Sequence, residues 1–187
     1  FTMDLNGASR TPDLLVIGRK KALRRTSLID ALQLPAETWG AMLDRAEPGD
    51  SGAVVATFVG ARRIIADVLP EVCSRQNPPS RSLFIPDVVR RMDGKAEATV
   101  VLALMEPGHL FASAVAVARA FPLFTASSGT VDRRRVNVLA LGPDGPVWDD
   151  RVPQVIPATR NAARLTDTPT STLHTDAFVE EARTVAD

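Results

Sequence analysis

The chain has 187 residues, of which 22 are Lys or Arg and 22 are Asp or Glu, so its formal net charge is zero and its isoelectric point is about 7.0. A neutral chain has no field to attract nucleic acid or an anionic membrane, and neither is expected as a partner. No apolar run approaches the ~20 residues that cross a bilayer, and the single cysteine, Cys73, excludes an internal disulfide. We expect a cytoplasmic protein without a signal peptide, since this cysteine content fits a reducing compartment.

Short apolar runs bounded by glycine, proline or charged residues predict the strands. The second and third runs are joined tightly at Gly60 and predict a hairpin, whereas the fourth is apolar throughout and predicts a strand buried on both faces. A turn at residues 142–145 leads into a short edge strand. In chain order, the predicted strands are Leu14–Ile17, Val54–Val59, Arg63–Leu69, Val100–Met105, Val136–Leu141 and Val147–Trp148.

Helical spacing of apolar residues predicts helices between these strands. The clearest follows the fourth strand, where Leu110, Ala114, Val117 and Phe121 share a face and Pro122 ends the helix. A helix over residues 153–165 is predicted with Pro157 at its first position, and Thr175 is predicted to cap a final helix. The remaining helices are predicted from Ser27, from Pro35 with Trp39, Met42 and Leu43 inward, and around Val88, Val89 and Met92.

The interleaved strands and helices predict an α/β fold with a mixed sheet covered by helices on both faces. The domain proper is expected to span residues 1–150, followed by a linker helix and loop over 151–170 and a further segment over 171–187. The chain begins at Phe1 without an initiator methionine and stops inside the final predicted helix. These two features suggest part of a longer protein.

The residues that could perform chemistry do not form a recognisable site. His109 and His174 have no partner at metal-ligand spacing, and Cys73 has no histidine nearby in sequence. The basic cluster Arg19–Arg25 is interpreted as a solvated loop because it lacks the glycines or helix start of a phosphate site. Nucleophile-elbow, P-loop and dinucleotide motifs are absent from the sequence. We therefore predict no catalytic, cofactor-binding or metal-binding residue in this chain.

Three further features receive structural interpretations. The loop Ser127–Gly129 is expected to have no ligand, although loops of this composition sometimes contact one. The adjacent carboxylates Asp149 and Asp150, and likewise Glu180 and Glu181, are interpreted as solvated faces and not as acid/base pairs.

Two stretches carry a resemblance to a known family. His109-Leu-Phe-Ala-Ser-Ala-Val-Ala-Val-Ala-Arg-Ala-Phe-Pro-Leu-Phe-Thr125 resembles part of the N-terminal domain of leucyl (cytosol) aminopeptidases, in particular the animal aminopeptidase-like branch. Arg164-Leu-Thr-Asp-Thr-Pro169, followed by Leu173-His-Thr-Asp-Ala-Phe-Val-Glu-Glu-Ala182, resembles that family's junction between the linker helix and the first catalytic-domain helix. Ser171 stands where the family usually has asparagine, which raises the possibility of a divergent member.

The resemblance implies an N-terminal domain with a macro-domain-like fold, a linker helix, and the start of a catalytic domain that continues beyond residue 187. In such enzymes two divalent metals, zinc or manganese, bridge the water that attacks the N-terminal peptide bond. The metal ligands lie in the later domain, so none is transferred to this chain. Family members are typically homo-hexamers that act on peptides.

Three functional hypotheses remain open at this point. The first is the non-catalytic N-terminal region of a leucyl-aminopeptidase-like metallo-exopeptidase, serving assembly and access. The second is a stand-alone macro-like module that binds a nucleotide or ADP-ribose, which the missing glycine-rich phosphate loops disfavour. The third is a non-catalytic homologue kept as a structural subunit, as Ser171 suggests.

Overall fold

A computed structural model describes residues 2–50, 52–73, 78, 84–90, 92, 97–121, 123 and 135–186. The strands are β1 Asp13–Arg19, β2 Ala53–Val59, β3 Arg62–Leu69, β4 Ala98–Ala103, β5 Val136–Gly142 and β6 Gly145–Pro146. The α-helices are α1 Leu5–Arg10, α2 Lys20–Leu23, α3 Thr26–Ala31, α4 Ala36–Asp44, α5 Ile85–Arg90, α6 Leu110–Arg119, α7 Val152–Asp167 and α8 Thr175–Ala186, with a 3₁₀ turn at Pro107–His109 before α6.

The six strands form one mixed sheet in the order β2-β3-β1-β4-β5-β6. The four inner strands β3, β1, β4 and β5 run parallel, and β2 and β6 join the two ends antiparallel. In the centre, Leu15 of β1 lies opposite Ile65 of β3 on one side and Val100 of β4 on the other. The continuous apolar runs of the inner strands fit this position, because parallel strands in α/β folds are covered on both faces.

Each face of the sheet packs against its own layer of helices, so the predicted mixed sheet with helices on both faces is confirmed. One core joins the odd-numbered residues of β1, such as Leu15 and Ile17, to α5, α6 and the start of α7. The other joins the even-numbered residues Leu14 and Val16 to the helices of the first 46 residues. Trp39 of α4 is 1% exposed, and its indole N–H donates to the backbone oxygen of Leu23 at 2.8 Å.

The basic cluster is not the solvated loop that its charge suggested. Residues 20–23 form α2, in which Ala22 and Leu23 are fully buried against the sheet. Arg25 is half-buried and donates hydrogen bonds to the backbone oxygens of Leu104 and Leu141, at 3.0 and 3.2 Å. The apolar pair inside the cluster decides its structure, because burying Ala22 and Leu23 fixes α2 against the sheet, while Lys21 and Arg24 stay exposed.

The linker helix begins earlier than predicted. α7 starts at Val152 with Pro153 in its first turn, and Pro157 lies inside the helix and not at its first position. Pro153 is the better starting residue because a first-turn proline gives up no helical hydrogen bond. Pro157 leaves one bond of the helix unmade, since it has no N–H to donate to the residue four positions before it.

Smaller differences concern the ends of elements. β4 ends at Ala103 and not at Met105, and the short edge strand is Gly145–Pro146, two residues before the predicted Val147–Trp148. The cap of α8 is also one residue early, because the ring nitrogen Nδ1 of His174 accepts a hydrogen bond from the backbone N–H of Ala177 at 3.4 Å. Thr175 is the first residue of that helix. The predictions for residues 74–77, 79–83, 93–96 and 124–134 lie outside the described residues.

Candidate functional site

A narrow crevice lies beside β1, at the point where the strand order switches from one side of β1 to the other. From β1 the chain proceeds to β3 on one side, and β4 then pairs on the other side of β1. In open α/β sheets the carboxyl ends of the strands at such a point are the usual place for a ligand. Ile17 and Arg19 from β1, Leu102 and Ala103 from β4, and His109 above them line this crevice.

The crevice is too small for a nucleotide. Its cavity volume is about 20 Å³, which suits about one water molecule. β1 and β4 approach closely at this point, since a Cβ at Gly18 would lie 2.7 Å from the backbone oxygen of Ala103. Beside the crevice, Arg25 donates hydrogen bonds to backbone carbonyl groups at the ends of β4 and β5. Burial lowers the pKa of its guanidinium. The described part of this crevice offers no room for a nucleotide or for ADP-ribose.

The titratable groups near the crevice lie in separate pairs. The ring nitrogen Nε2 of His109 lies 4.0 Å from a carboxylate oxygen of Glu106, an exposed side chain. The exposed thiol of Cys73 accepts a hydrogen bond from Arg19. Within the described ranges, no group of three or more His, Cys, Asp or Glu side chains is placed to hold a metal ion. The two-metal centre that the resemblance implies is expected beyond residue 187, and we derive no metal chemistry for the residues near the crevice.

A second candidate site is the junction between α7 and α8. The guanidinium of Arg164 on α7 donates two hydrogen bonds to the carboxylate of Glu181 on α8, and the one from Nη1 to Oε1 is 2.9 Å long. The same guanidinium donates from Nε to the side-chain oxygen of Asn161 at 3.0 Å. The hydroxyl of Thr168 donates to the backbone oxygen of Arg164 at 2.6 Å and closes the end of α7. Glu181 is therefore a fixed partner of Arg164 and not simply part of a solvated face.

The electrostatics of this junction favour the charged pair. The hydrogen bonds from Arg164 lower the pKa of Glu181, and the same bonds raise the pKa of Arg164. Both side chains are about one third exposed or less, at 32% and 27%. The pair therefore links two helices through residues that are 17 positions apart in sequence.

Further contacts hold the start and middle of α7 against α6. Arg160 donates from Nε to the backbone oxygen of Phe121 at 2.8 Å. Arg151 lies with its guanidinium carbon 4.9 Å from the ring centre of Phe111, a cation–π contact. Arg151 also binds Asp149 through its backbone and side chain, and these bonds lower the pKa of Asp149 to about 2. Asp149 is thus an anchor for the start of the linker helix.

α8 leaves apolar side chains in contact with solvent. Phe178 is 53% exposed and Val179 is 42% exposed, and Ala182 on the same helix is exposed as well. Glu180 pairs with Arg183 along the helix surface. The side chain of Val185 and the loop Ser127–Gly129 lie outside the described residues. α8 is therefore held to the domain chiefly through its ion pair and not through an apolar core.

The turn that carries Ser171 is closed by the backbone. The N–H groups of Thr172 and Leu173 both donate to the backbone oxygen of Pro169, at 2.9 and 2.8 Å. Ser171 itself is exposed. The turn therefore forms with serine at this position.

Comparison with solved structures gives the class of protein to which this fold corresponds. The chain superimposes on the apo leucyl aminopeptidase of Trypanosoma brucei with a TM-score of 0.78, at 20% identity over 96% of this chain and 38% of that one. The leucyl aminopeptidase of Leishmania major in complex with actinonin gives 0.76 at 24% identity, over 95% and 37% of the two chains. The fold is that of the N-terminal part of leucine aminopeptidases.

The sequence comparisons define the family. The family model described as M17 aminopeptidase N-terminal domain 2 matches residues 12–130, and the chain belongs to this family. A probable aminopeptidase of Mus musculus, NPEPL1, is 35% identical over 182 residues, which is 90% of this chain and 34% of the relative. The human protein of the same description is 35% identical over 154 residues, 78% of this chain and 29% of the relative. The chain thus spans about a third of the length of these curated relatives, and the resemblance read from the sequence is confirmed.

None of the described helices is both long and apolar enough to cross a membrane.

The α7–α8 junction contains residues that the sequence analysis quoted only for their resemblance. Arg164 and Glu181 both lie in the quoted motifs, but their pairing was not predicted. The one available signal was that each is a charged residue at a fixed place in the family pattern.

Proposed function

We propose that this chain is the non-catalytic N-terminal region of a leucyl-aminopeptidase-like metallo-exopeptidase, a class of enzyme that removes N-terminal amino acids from peptides. The observation that carries the proposal is the family match over residues 12–130 together with the ion pair that joins α7 to α8 just beyond it. The domain occupies residues 1–150, the linker helix and loop 151–170, and the start of the catalytic domain 171–187.

In this proposal the region positions the catalytic domain and controls access to it. Arg151 and Arg160 fix α7 to the N-terminal domain, and Arg164 then fixes α8 to α7. The exposed Phe178 and Val179 of α8 become buried against the remainder of the catalytic domain. Full burial of such a side chain is favourable by ~1.5–3 kcal/mol, and about half of each surface is still exposed, so the two together would contribute about 1.5 to 3 kcal/mol. α8 would thus be shared between the two parts of the enzyme.

The chemistry belongs to the remainder of the parent protein. Two divalent metals, zinc or manganese, would be held there, and the parent would act on peptides as a cytoplasmic homo-hexamer assembled through its catalytic domains. The structural relatives are leucyl aminopeptidases, and the family match supports an aminopeptidase as the parent of this chain.

The proposal is tested by comparing the chain with its parent. An intact mass under denaturing conditions first establishes whether a preparation contains the 20.1 kDa chain alone or a longer species. We expect the 187-residue chain to leave leucine amides intact with either zinc or manganese, and the parent to hydrolyse them. Hydrolysis by the chain alone would contradict a non-catalytic role. A parent that is inactive with both metals, or that lacks metal-ligating residues beyond residue 187, would instead make this family member a structural subunit.

A variant in the parent tests the positioning role separately. Arg164→Gln removes the bond between the two helices while leaving the catalytic residues intact, and we expect it to lower peptidase activity. Arg183→Gln is the matched control, because within the described part of the chain Arg183 pairs with Glu180 on the exposed surface of α8. Equal activity of the two variants would exclude a role of the α7–α8 junction in positioning.

A further inference from the structure

One edge of the sheet is covered and the other is open. At the β5 edge, β6 pairs with residues 141 and 142, and the N–H of Thr2 donates to the backbone oxygen of Val138 at 2.9 Å. At the opposite edge, β2 pairs with β3 on its inner side only, as far as the described residues extend. An open edge strand presents unpaired backbone N–H and C=O groups that can pair with another strand.

β2 lacks the features that normally protect an open edge. Its seven residues, Ala53 to Val59, include no charged residue, no proline and no glycine. Val54, Ala56 and Phe58 point to one face and are exposed, Val54 at 44% and Phe58 at 68%. Monomeric proteins usually interrupt such a strand with lysine, proline or a bulge. The unprotected sequence indicates that β2 is covered by another strand in the assembled protein.

The continuation of this chain leaves from the far side of the sheet. α7 packs on α6, which crosses between β4 and β5. β2 is four strand spacings away from β5, or about 19 Å. A segment that follows α8 therefore starts from the other end of the sheet, whereas a second copy of this chain presents an identical edge strand directly.

The residues of β2 are arranged to pair with a copy of themselves. If two β2 strands lie antiparallel about a two-fold axis at Ala56, each Phe58 faces Val54 of the other strand and the two alanines face each other. Aromatic residues opposite β-branched residues are a favourable cross-strand pair. The small residue falls at the axis and no like charges meet. Two-fold contacts of this self-complementary kind are the most frequent in homo-oligomers.

We propose that β2 is an assembly surface at which two copies of this chain join their six-stranded sheets into one continuous twelve-stranded sheet, with Ala56 at the two-fold axis. The proposal rests on the proposed function, to which it adds a contact between two N-terminal domains beside the assembly through the catalytic domains, and it involves no metal or catalytic residue.

Disulfide trapping tests the contact and its register. Directly opposed residues of an antiparallel pair have Cα atoms about 4.5–5.5 Å apart, which lies in the range that a disulfide spans. In a Cys73→Ser background, Ala56→Cys is therefore expected to form a covalent dimer on mild oxidation. Val54→Cys is the matched control, because its copy would lie four residues further along the strand, at about 14 Å. Equal cross-linking of the two variants, or none with Ala56→Cys, would overturn the proposal.

Solution mass tests the contact without cross-linking. Over a range of concentrations the 187-residue chain is expected to reach twice its 20.1 kDa mass. Ala56→Lys places two like charges across the axis and is expected to give a monomer with unchanged circular dichroism. Val179→Lys, in the exposed patch of α8, is expected to dimerise normally. A chain that is monomeric throughout, or a dimer lost with Val179→Lys and kept with Ala56→Lys, would refute pairing through β2. Peptidase activity of the parent is a separate measurement, so either proposal can fail without the other.

Discussion

Replacing Thr99 by valine should stabilise the protein, although threonine and valine have almost the same shape. Thr99 lies in β4 between Leu14 of β1 and Asn137 of β5. It is 0% exposed, and its hydroxyl oxygen has no hydrogen-bond partner among the residues that the structure describes. The folded state therefore carries the full cost of removing a hydroxyl from water without replacing its hydrogen bonds.

The expected gain follows from that cost. A buried hydroxyl without a partner costs about 1–3 kcal/mol in proteins, and valine would fill the same space with a methyl group at no such cost. We expect Thr99→Val to raise the free energy of unfolding by about 1–3 kcal/mol. For a protein of this length each 1 kcal/mol corresponds to a rise of about 2–4 °C in Tm.

Thr11 provides the matched control. It is also buried, at 5% exposure, but its hydroxyl lies 3.3 Å from the backbone oxygens of both Asp13 and Glu97. Thr11→Val should lose about 0.5–1.5 kcal/mol, the net value of a satisfied hydrogen bond. Urea unfolding of both variants measures the two effects. Changes of the same sign, or a loss of stability in Thr99→Val, would refute the assignment of Thr99 as an unsatisfied buried group.

Two further predictions concern the centre of the sheet and the linker. Gly18→Ala should destabilise the folded protein by about 1–3 kcal/mol, because its Cβ would meet the backbone oxygen of Ala103 at 2.7 Å. Gly40 lies in a helix, and a Cβ there would meet nothing within 4 Å, so Gly40→Ala should stabilise the protein by about 0.5–1 kcal/mol. Thermal unfolding of the two variants measures both effects. Glu181 has a lowered pKa in the folded state, so its bond to Arg164 should be complete above the ordinary value of 4.5 and be lost as the pH falls through the folded pKa. The protection of the α8 amides, measured as exchange relative to the intrinsic rate at each pH, should fall over that acid range, and Glu181→Gln should show low protection at neutral pH as well. Protection of α8 that does not change with pH would mean that other contacts hold this helix.

The strands were predictable because local composition determines them. Leu14–Ile17 and Val136–Leu141 are short apolar runs bounded by polar or glycine residues, and both lie within strands. The hairpin at Gly60 was predictable for the same reason, since glycine accommodates the φ of +60° that the turn requires. The order of the strands was not predictable, because parallel pairing joins segments that are distant in sequence and share no local signal.

The errors occurred where two local signals competed. Five positively charged residues outweighed the apolar pair Ala22 and Leu23 in the interpretation of the basic cluster, whereas the structure buries that pair. Pro153 and Pro157 both suit the first turn of a helix, and only the packing of Val152 into the core places the start at the earlier one. In each case the deciding contact is tertiary.

The candidate site at the junction could be recognised from sequence only in part. Arg164 and Glu181 stand in motifs that resemble a known family, but they lie on different helices, and no periodicity within one helix brings them together. The crevice near His109 was not predicted either. Its position depends on the strand order, which reverses at β1.

The central position of β1 determines the order in which the sheet can be completed. β2 and β3 are adjacent in sequence and can close as a hairpin while the chain is still short. β1 is made earlier but pairs with β3 and β4, and its partner in β4 begins only at Ala98. During synthesis, β1 therefore cannot complete its pairing until β4 has been translated. We expect folding of this chain to be slow compared with helical domains of similar length, since long-range parallel pairing is the last step to be completed.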